Sequence, residues 1–167
     1  MSIPPLSTTD LAHGKLAWRS AGQATPLVLL HGLGGSSKSW EFQYRNLGDT
    51  FRVVAWDCPG YGASDDLAGP TPCVDDYVAS VLGLIDVLGF ETVELLGHSM
   101  GGVIASRLAA RQPARVNHLV LSCTSVGWGN SRHASRAAGY KKRLNELRTL
   151  TAAEFGAARG ATMVADD

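Results

Sequence analysis

The pentapeptide Gly97-His98-Ser99-Met100-Gly101 constrains this chain more than any other stretch. The apolar run Val93 to Leu96 leads into it, and a helix-spaced pattern from Met100 to about Arg111 leads out. The backbone must therefore pass from strand to helix on a single residue. A turn that tight has little room for side chains two positions either side of the serine, and glycine stands at both. Such a turn holds the Ser99 hydroxyl out at its tip, with the N-terminal amides of the next helix directed at any negative charge that develops there. A bare G-x-S-x-G could serve only to pack a helix on a strand; the strand-turn-helix context is what singles out the serine.

The rest of the chain fits that junction. Apolar runs alternate with helical patterns after residue 26, the sign of βαβ units around a parallel sheet. Leu27 to Leu30, most of Phe51 to Trp56, Val93 to Leu96 and Leu119 to Leu121, the last within a strand from Val116 to Ser122, each read as a short strand covered on both faces. Lys15 to Arg19 is a weaker strand near an edge. Val74, Val78, Val81, Leu82 and Ile85 fall at helical spacing, with Thr71 as N-cap, Pro72 at the first position, Asp75 and Asp76 in the first turn and Gly89 at the exit. The helix after Ser99 should end before Pro113, its Gly101, Gly102, Ala105 and Ala109 allowing close approach to the sheet. From Ser125 the character changes. Gly127, Gly129 and Asn130 make a loop, and Ser131 to Leu150 reads as a basic helix with Leu144, Leu147 and Leu150 spaced by three.

Two further motifs lie at strand ends. His31-Gly32-Leu33-Gly34-Gly35 follows the first strong strand, where a glycine-rich loop can present a backbone amide to an oxyanion; Leu33 would give one such donor and Met100 the other. Asp57-Cys58-Pro59-Gly60-Tyr61-Gly62-Ala63-Ser64 follows the second. Together with Gly97 to Gly102, these three motifs, in this order, resemble the α/β-hydrolase fold family, and in particular its branch of enol-lactonases, carboxylesterases and carbon–carbon bond hydrolases. The likeness runs from about Lys15 to Ser125. It implies a doubly wound, mostly parallel α/β sheet, with Ser99 as nucleophile of acyl transfer on a small carbonyl substrate, an ester or lactone, and no cofactor or metal. Serine at the elbow sets the chain apart from dehalogenases and epoxide hydrolases of the same fold, which carry aspartate there. The resemblance makes Asp57 to Ser64 a structural loop, and makes His31, Gly32, Gly34, Gly97, His98 and Gly101 shapers of the site; His31 supports the oxyanion loop, and His98 points away from the chemistry.

A serine hydroxyl needs a base, and the fold supplies its partners in the order Ser, Asp or Glu, His. After Ser99 the histidines are His118 and His133, whereas the later acids are Glu146, Glu154, Asp166 and Asp167, so every acid follows every base. The expectation is an N-terminal core over residues 1–125 and the start of a helical cap over 126–167, with the C-terminal strands missing and little turnover by this chain alone. The last strand would then be an open edge, inviting self-association or a complementing C-terminal chain.

Composition narrows the partners. Fifteen basic and fifteen acidic residues cancel, and no apolar run reaches the roughly 18 residues of a spanning helix, so neither nucleic acid nor a membrane is expected as a partner. Cys58, Cys73 and Cys123 are odd in number and lack metal-ligand spacing, which suits reduced thiols and a cytoplasmic setting. Two rival readings remain. One is a non-catalytic ligand-binding module on the same scaffold. The other is an NTPase, because Gly32 to Ser39 nearly matches G-x-x-x-x-G-K-[ST] and Asp57 could serve magnesium, although Ser37 stands where that loop needs glycine.

Overall fold

The computed structural model describes residues 3–69, 71–124 and 134–160, and the chain divides into two compact units, Met1–Ser125 and Val126–Asp167. The first contains strands β1 (Leu6–Leu11), β2 (Gly14–Ala21), β3 (Thr25–Leu30), β4 (Phe51–Trp56), β5 (Val93–His98) and β6 (Val116–Ser122). They form one sheet in the order β1-β2-β4-β3-β5-β6. The β4-β3-β5-β6 part is parallel, and β1 and β2 join it antiparallel.

Helices cover both faces, as a doubly wound sheet requires. On one side α2 (Val74–Val87) and α3 (Met100–Arg111) bury Val28 and Leu30 of β3, Val54 and Trp56 of β4, and Val93 and Leu95 of β5 against Val81, Leu84, Ile85, Ile104 and Leu108. On the other, a 3-10 turn (Ser37–Trp40) and α1 (Glu41–Leu47) bring Trp40 and Tyr44 onto Leu27, Leu29, Val53 and Ala55. Alternate residues of β3 and β4 thus enter different cores, so their sequences read as unbroken apolar runs.

The expected strands at 27–30, 51–56, 93–96 and 116–122 and the helix after Ser99 are all present. The weak strand at Lys15 to Arg19 lies near an edge, with β1 outside it. Two expectations need correction. The run Leu119 to Leu121 is not covered on both faces, because β6 is outermost on its side and leaves Val120 and Leu121 exposed. Helix α2 starts at Val74 rather than near Pro72, because the Asp76 carboxylate accepts a hydrogen bond from the Cys73 amide at 2.7 Å, making Cys73 the N-cap residue in place of Thr71. Asp75, in the same first turn, pairs with Arg107 and Arg111 of α3; the Arg107 guanidinium holds its carboxyl down to about 2.

Strand β6 is the outer strand on the side away from β1. Its Val116 and Leu119 pack against the α2 and α3 core, whereas Val120 and Leu121 remain 52% and 47% exposed.

In the second unit, α4 (Ala134–Thr149) carries an i,i+4 pair of Lys142 with Glu146. α5 (Ala152–Gly160) is capped by Thr151, whose amide and hydroxyl both donate to Glu154 Oε2. Gly127, Gly129, Asn130, His133, Asp166 and Asp167 lie outside the described residues, as does the side chain of Leu147.

Leu84, fully buried between α2 and the sheet, tests the main core. Leu84→Ala should lower the unfolding free energy of the chain by about 3 kcal/mol in urea titrations followed by tryptophan fluorescence. A loss under about 1 kcal/mol would show that α2 is not locked onto the sheet.

Candidate active site

The site is built where β5 becomes α3. Ser99 takes φ 53° and ψ −115°, a conformation L-residues avoid, and its amide donates to the Ser122 carbonyl at the end of β6, 2.9 Å away. The strain at Ser99 is sustained by close packing on both sides. A Cβ placed on Gly97 would lie 2.4 Å from the Gly101 carbonyl oxygen, and one on Gly101 would lie 2.1 Å from that of Leu30. No side chain fits at either position, so α3 rests directly on the ends of β5 and β3. Met100 opens α3, and its amide is among the four at that end without an intrahelical acceptor.

The loop after β3 closes on the serine from the other side. A Cβ on Gly32 would come within 2.9 Å of Ser99 Cβ and 3.3 Å of His98 Cδ2. The next residue, Leu33, is exposed, and its amide donates to no group among the described residues. His31 anchors this loop. The Cys58 amide donates to His31 Nε2 at 2.9 Å, which makes Nε2 an acceptor and leaves Nδ1 to donate to the Gly32 carbonyl at 2.8 Å. Both ring nitrogens are thereby committed, and Tyr61 packs edge-on against the ring at 5.4 Å. Burial lowers the His31 pKa, so the imidazole is held neutral.

Asp57 ties the neighbouring loops together. Its buried carboxylate accepts from the Ser37 amide at 2.7 Å and the Ala63 amide at 3.1 Å, while its carbonyl accepts from the Ser64 hydroxyl. This role was not visible in the sequence, since Ser37 lies twenty residues away with no spacing to suggest the bond. The arrangement removes the NTPase reading. The Gly35, Ser36, Ser37, Lys38 and Ser39 amides all donate within the loop or to Asp57, leaving none of them to cradle phosphate, and Asp57 is occupied and buried.

A cleft of about 420 Å³ opens beside the serine, lined by Gly32 to Gly35, Ser39, Trp40, Gln43, His31 and His98. The expectation that His98 points away is corrected here. The ring, with Nδ1 3.3 Å from Ser122 Oγ, is exposed and forms part of the cleft wall. Trp40 and Gln43 also went unrecognised, because they reach the cleft from the 3-10 turn and α1, whose place over β3 and β4 no local pattern reveals. His118 stands apart: it pairs with Glu94 at 2.7 Å near the start of β5, five residues of extended chain before Ser99, or about 16 Å. His13 contacts Ser80 of α2 by the β1–β2 turn. Among the described residues no cluster of His, Cys, Asp or Glu is suited to a metal ion.

Residues 25–151 match the model of the alpha/beta hydrolase fold family. The chain is 46% identical over 113 residues to a 2-hydroxy-6-oxononadienedioate/2-hydroxy-6-oxononatrienedioate hydrolase of Paraburkholderia phymatum, an alignment covering 64% of this chain and 38% of that one. Among solved structures it superposes on a hydrolase from Pseudomonas aeruginosa PA01 with a TM-score of 0.75 and 31% identity, covering 87% of this chain and 53% of the other. It also superposes on the enol-lactonase from Burkholderia xenovorans LB400 at 0.69 and 30%, covering 72% and 48%. The chain therefore spans about a third to a half of the length of these relatives.

Two measurements check this geometry. Ser99→Gly relieves the strained φ, so it should leave the fold unchanged or stabilise it by about 1 kcal/mol, whereas Gly32→Ala should destabilise it through contact with Ser99. A clear loss of stability in Ser99→Gly would contradict the strain. For His31 the pKa is lowered in the fold, so its contribution is complete above the ordinary value of 6.5 and is lost as pH falls below 6.5 towards the depressed value. Stability followed by denaturant midpoint should decline over that interval, and His31→Gln should flatten the decline.

Proposed function

The chain belongs to the alpha/beta hydrolase fold family, and within it we propose that Ser99 is the nucleophile of an acyl-transfer hydrolase acting on a small ester or lactone. The observation that carries this reading is the Ser99 conformation itself: φ 53° on a strand-to-helix turn, with Gly32 of the facing loop packed against its Cβ. Strain of this kind costs about 1–3 kcal/mol and persists where the surrounding structure enforces it for a purpose.

In the proposed reaction, Ser99 Oγ attacks the carbonyl carbon. The Leu33 and Met100 amides receive the tetrahedral oxyanion, each donor contributing roughly 3 kcal/mol to the transition state. Collapse expels the alcohol, and water then releases the acyl group. The relatives support hydrolysis of carbonyl compounds, one named for a dienedioate and one as an enol-lactonase.

No described residue fits the general base. His31 has both nitrogens committed, His118 lies far along the sheet, and the His98 ring is turned to Ser122 and the cleft. Base and acid therefore come, in this proposal, from polypeptide that adds to the exposed edge of β6, either a complementing segment or a second copy. Without it turnover is low, though an intact oxyanion site can retain on the order of 10³-fold rate enhancement over water. The three cysteines are free, in keeping with a reducing cytoplasmic setting, and among the described residues no helix is long and apolar enough to cross a membrane.

The direct test is labelling by a fluorophosphonate probe with Ser99→Ala as control. Stoichiometric labelling that depends on Ser99 is the expected result for protein carrying its complementing partner, with slow labelling of the chain alone; labelling that survives Ser99→Ala would overturn the assignment. Separately, sedimentation should show concentration-dependent association that Val120→Lys weakens. A monomer at all concentrations would remove the edge from the proposal.

A further inference from the structure

The cleft beside Ser99 contains two polar side chains that the acyl-transfer steps leave unused. His98, the last residue of β5, has its Nδ1 held by Ser122 Oγ at 3.3 Å, while Nε2 has no partner among the described residues. Gln43 of α1 lines the same cleft, and its amide is likewise unpaired among the described residues. The remaining wall is backbone of the glycine loop, the Trp40 indole and Ser39. A concave site with a few convergent polar groups on an otherwise neutral lining is the usual form of a small-molecule subsite.

The cleft is also close enough to the nucleophile to share one ligand. A single point, the Cβ position of Gly32, lies 2.9 Å from Ser99 Cβ and 3.3 Å from His98 Cδ2, the carbon bonded to Nε2. A carbonyl carbon under attack by Ser99 and an oxygen hydrogen-bonded to His98 can therefore belong to the same short acyl group. Ser122 fixes the ring from behind, so the contact needs little reordering of the side chain.

Resting on the reading of Ser99 as nucleophile, we propose that His98 and Gln43 form an acyl-side specificity subsite that selects substrates with an uncharged hydrogen-bonding oxygen, a hydroxyl or keto group, a few atoms from the scissile carbonyl. Neither residue takes part in bond making; both act by holding that oxygen. A plain alkyl acyl group leaves the two polar groups desolvated and unpaired, which is where the selectivity arises.

The test compares p-nitrophenyl butyrate with p-nitrophenyl 3-hydroxybutyrate, reading acylation of Ser99 by intact mass. In that step the Ser99 Oγ–carbon bond forms and the carbonyl–phenoxy bond breaks. p-Nitrophenolate leaves with the electron pair, and the hydroxyl proton passes to water. The hydroxylated probe should acylate roughly fivefold faster, as one hydrogen bond allows. His98→Ala and Gln43→Ala should each erase that preference, and His98→Gln should keep part of it. A preference unchanged in His98→Ala, with Ser99 still acylated, overturns the subsite and leaves the nucleophile standing. If no protein is acylated at Ser99, the subsite is judged by binding alone. 3-Hydroxybutyramide should then shift the His98 Nε2 resonance in ¹⁵N spectra, assigned by its loss in His98→Gln, and an unmoved resonance overturns it.

Discussion

Everything in the first unit depends on how closely α3 lies on the sheet. The helix starts one residue after the end of β5, and its first turn touches backbone of both β5 and β3, a contact that only Gly97 and Gly101 permit. Because helix and strand meet without intervening side chains, Ser99 has no relaxed conformation available and takes positive φ. The same approach sets the first amides of α3 beside the serine. The position of the Ser99 side chain, its backbone strain and the field of the helix amides beside it are thus one consequence of one packing constraint.

The facing loop is fixed by polar contacts, not by apolar packing. His31 and Asp57 are both buried, and each spends its hydrogen-bonding capacity on backbone: His31 on Gly32 and Cys58, Asp57 on Ser37 and Ala63. A fully satisfied network of this kind holds loops to one arrangement, because breaking any member leaves a buried group unpaired. It also accounts for the glycine-rich loop with its following lysine not behaving as a phosphate cradle. Its amides past Gly34 are already consumed inside the protein.

The sequence was most legible where burial is two-sided. β3 and β4 are unbroken apolar runs because their alternate residues enter separate cores, and the turn at Ser99 is legible because sterics leave only glycine beside it. β1 was not legible. Leu-Ser-Thr-Thr-Asp-Leu pairs only with β2, buries neither face fully and carries a pattern too polar to distinguish from a loop. The start of α2 was misplaced because Thr71-Pro72 has the local look of a cap, whereas Asp76 satisfies the Cys73 amide instead. At the site, Ser99, Gly32 and His31 follow from motif and context. The Asp57 clamp, the approach of Gln43 and the orientation of His98 depend on contacts between distant segments, about which local spacing is silent.

The division of labour among the histidines follows from the same contacts. An imidazole can move a proton for Ser99 only if one nitrogen reaches the hydroxyl and the other is held so as to stabilise the cation that forms. His31 meets the second condition but not the first, since Cys58 occupies its remaining nitrogen and burial disfavours the charged form. His118 has a carboxylate partner in Glu94, the pairing a base needs, but near the wrong end of β5. His98 sits beside the serine with a nitrogen free, yet only a hydroxyl, that of Ser122, supports its other nitrogen, which gives a developing imidazolium no charge to lean on. Proximity, freedom and a carboxylate partner are each present in this unit, on different residues. A base that combined all three would have to reach the half-buried Ser99 from outside this set of contacts.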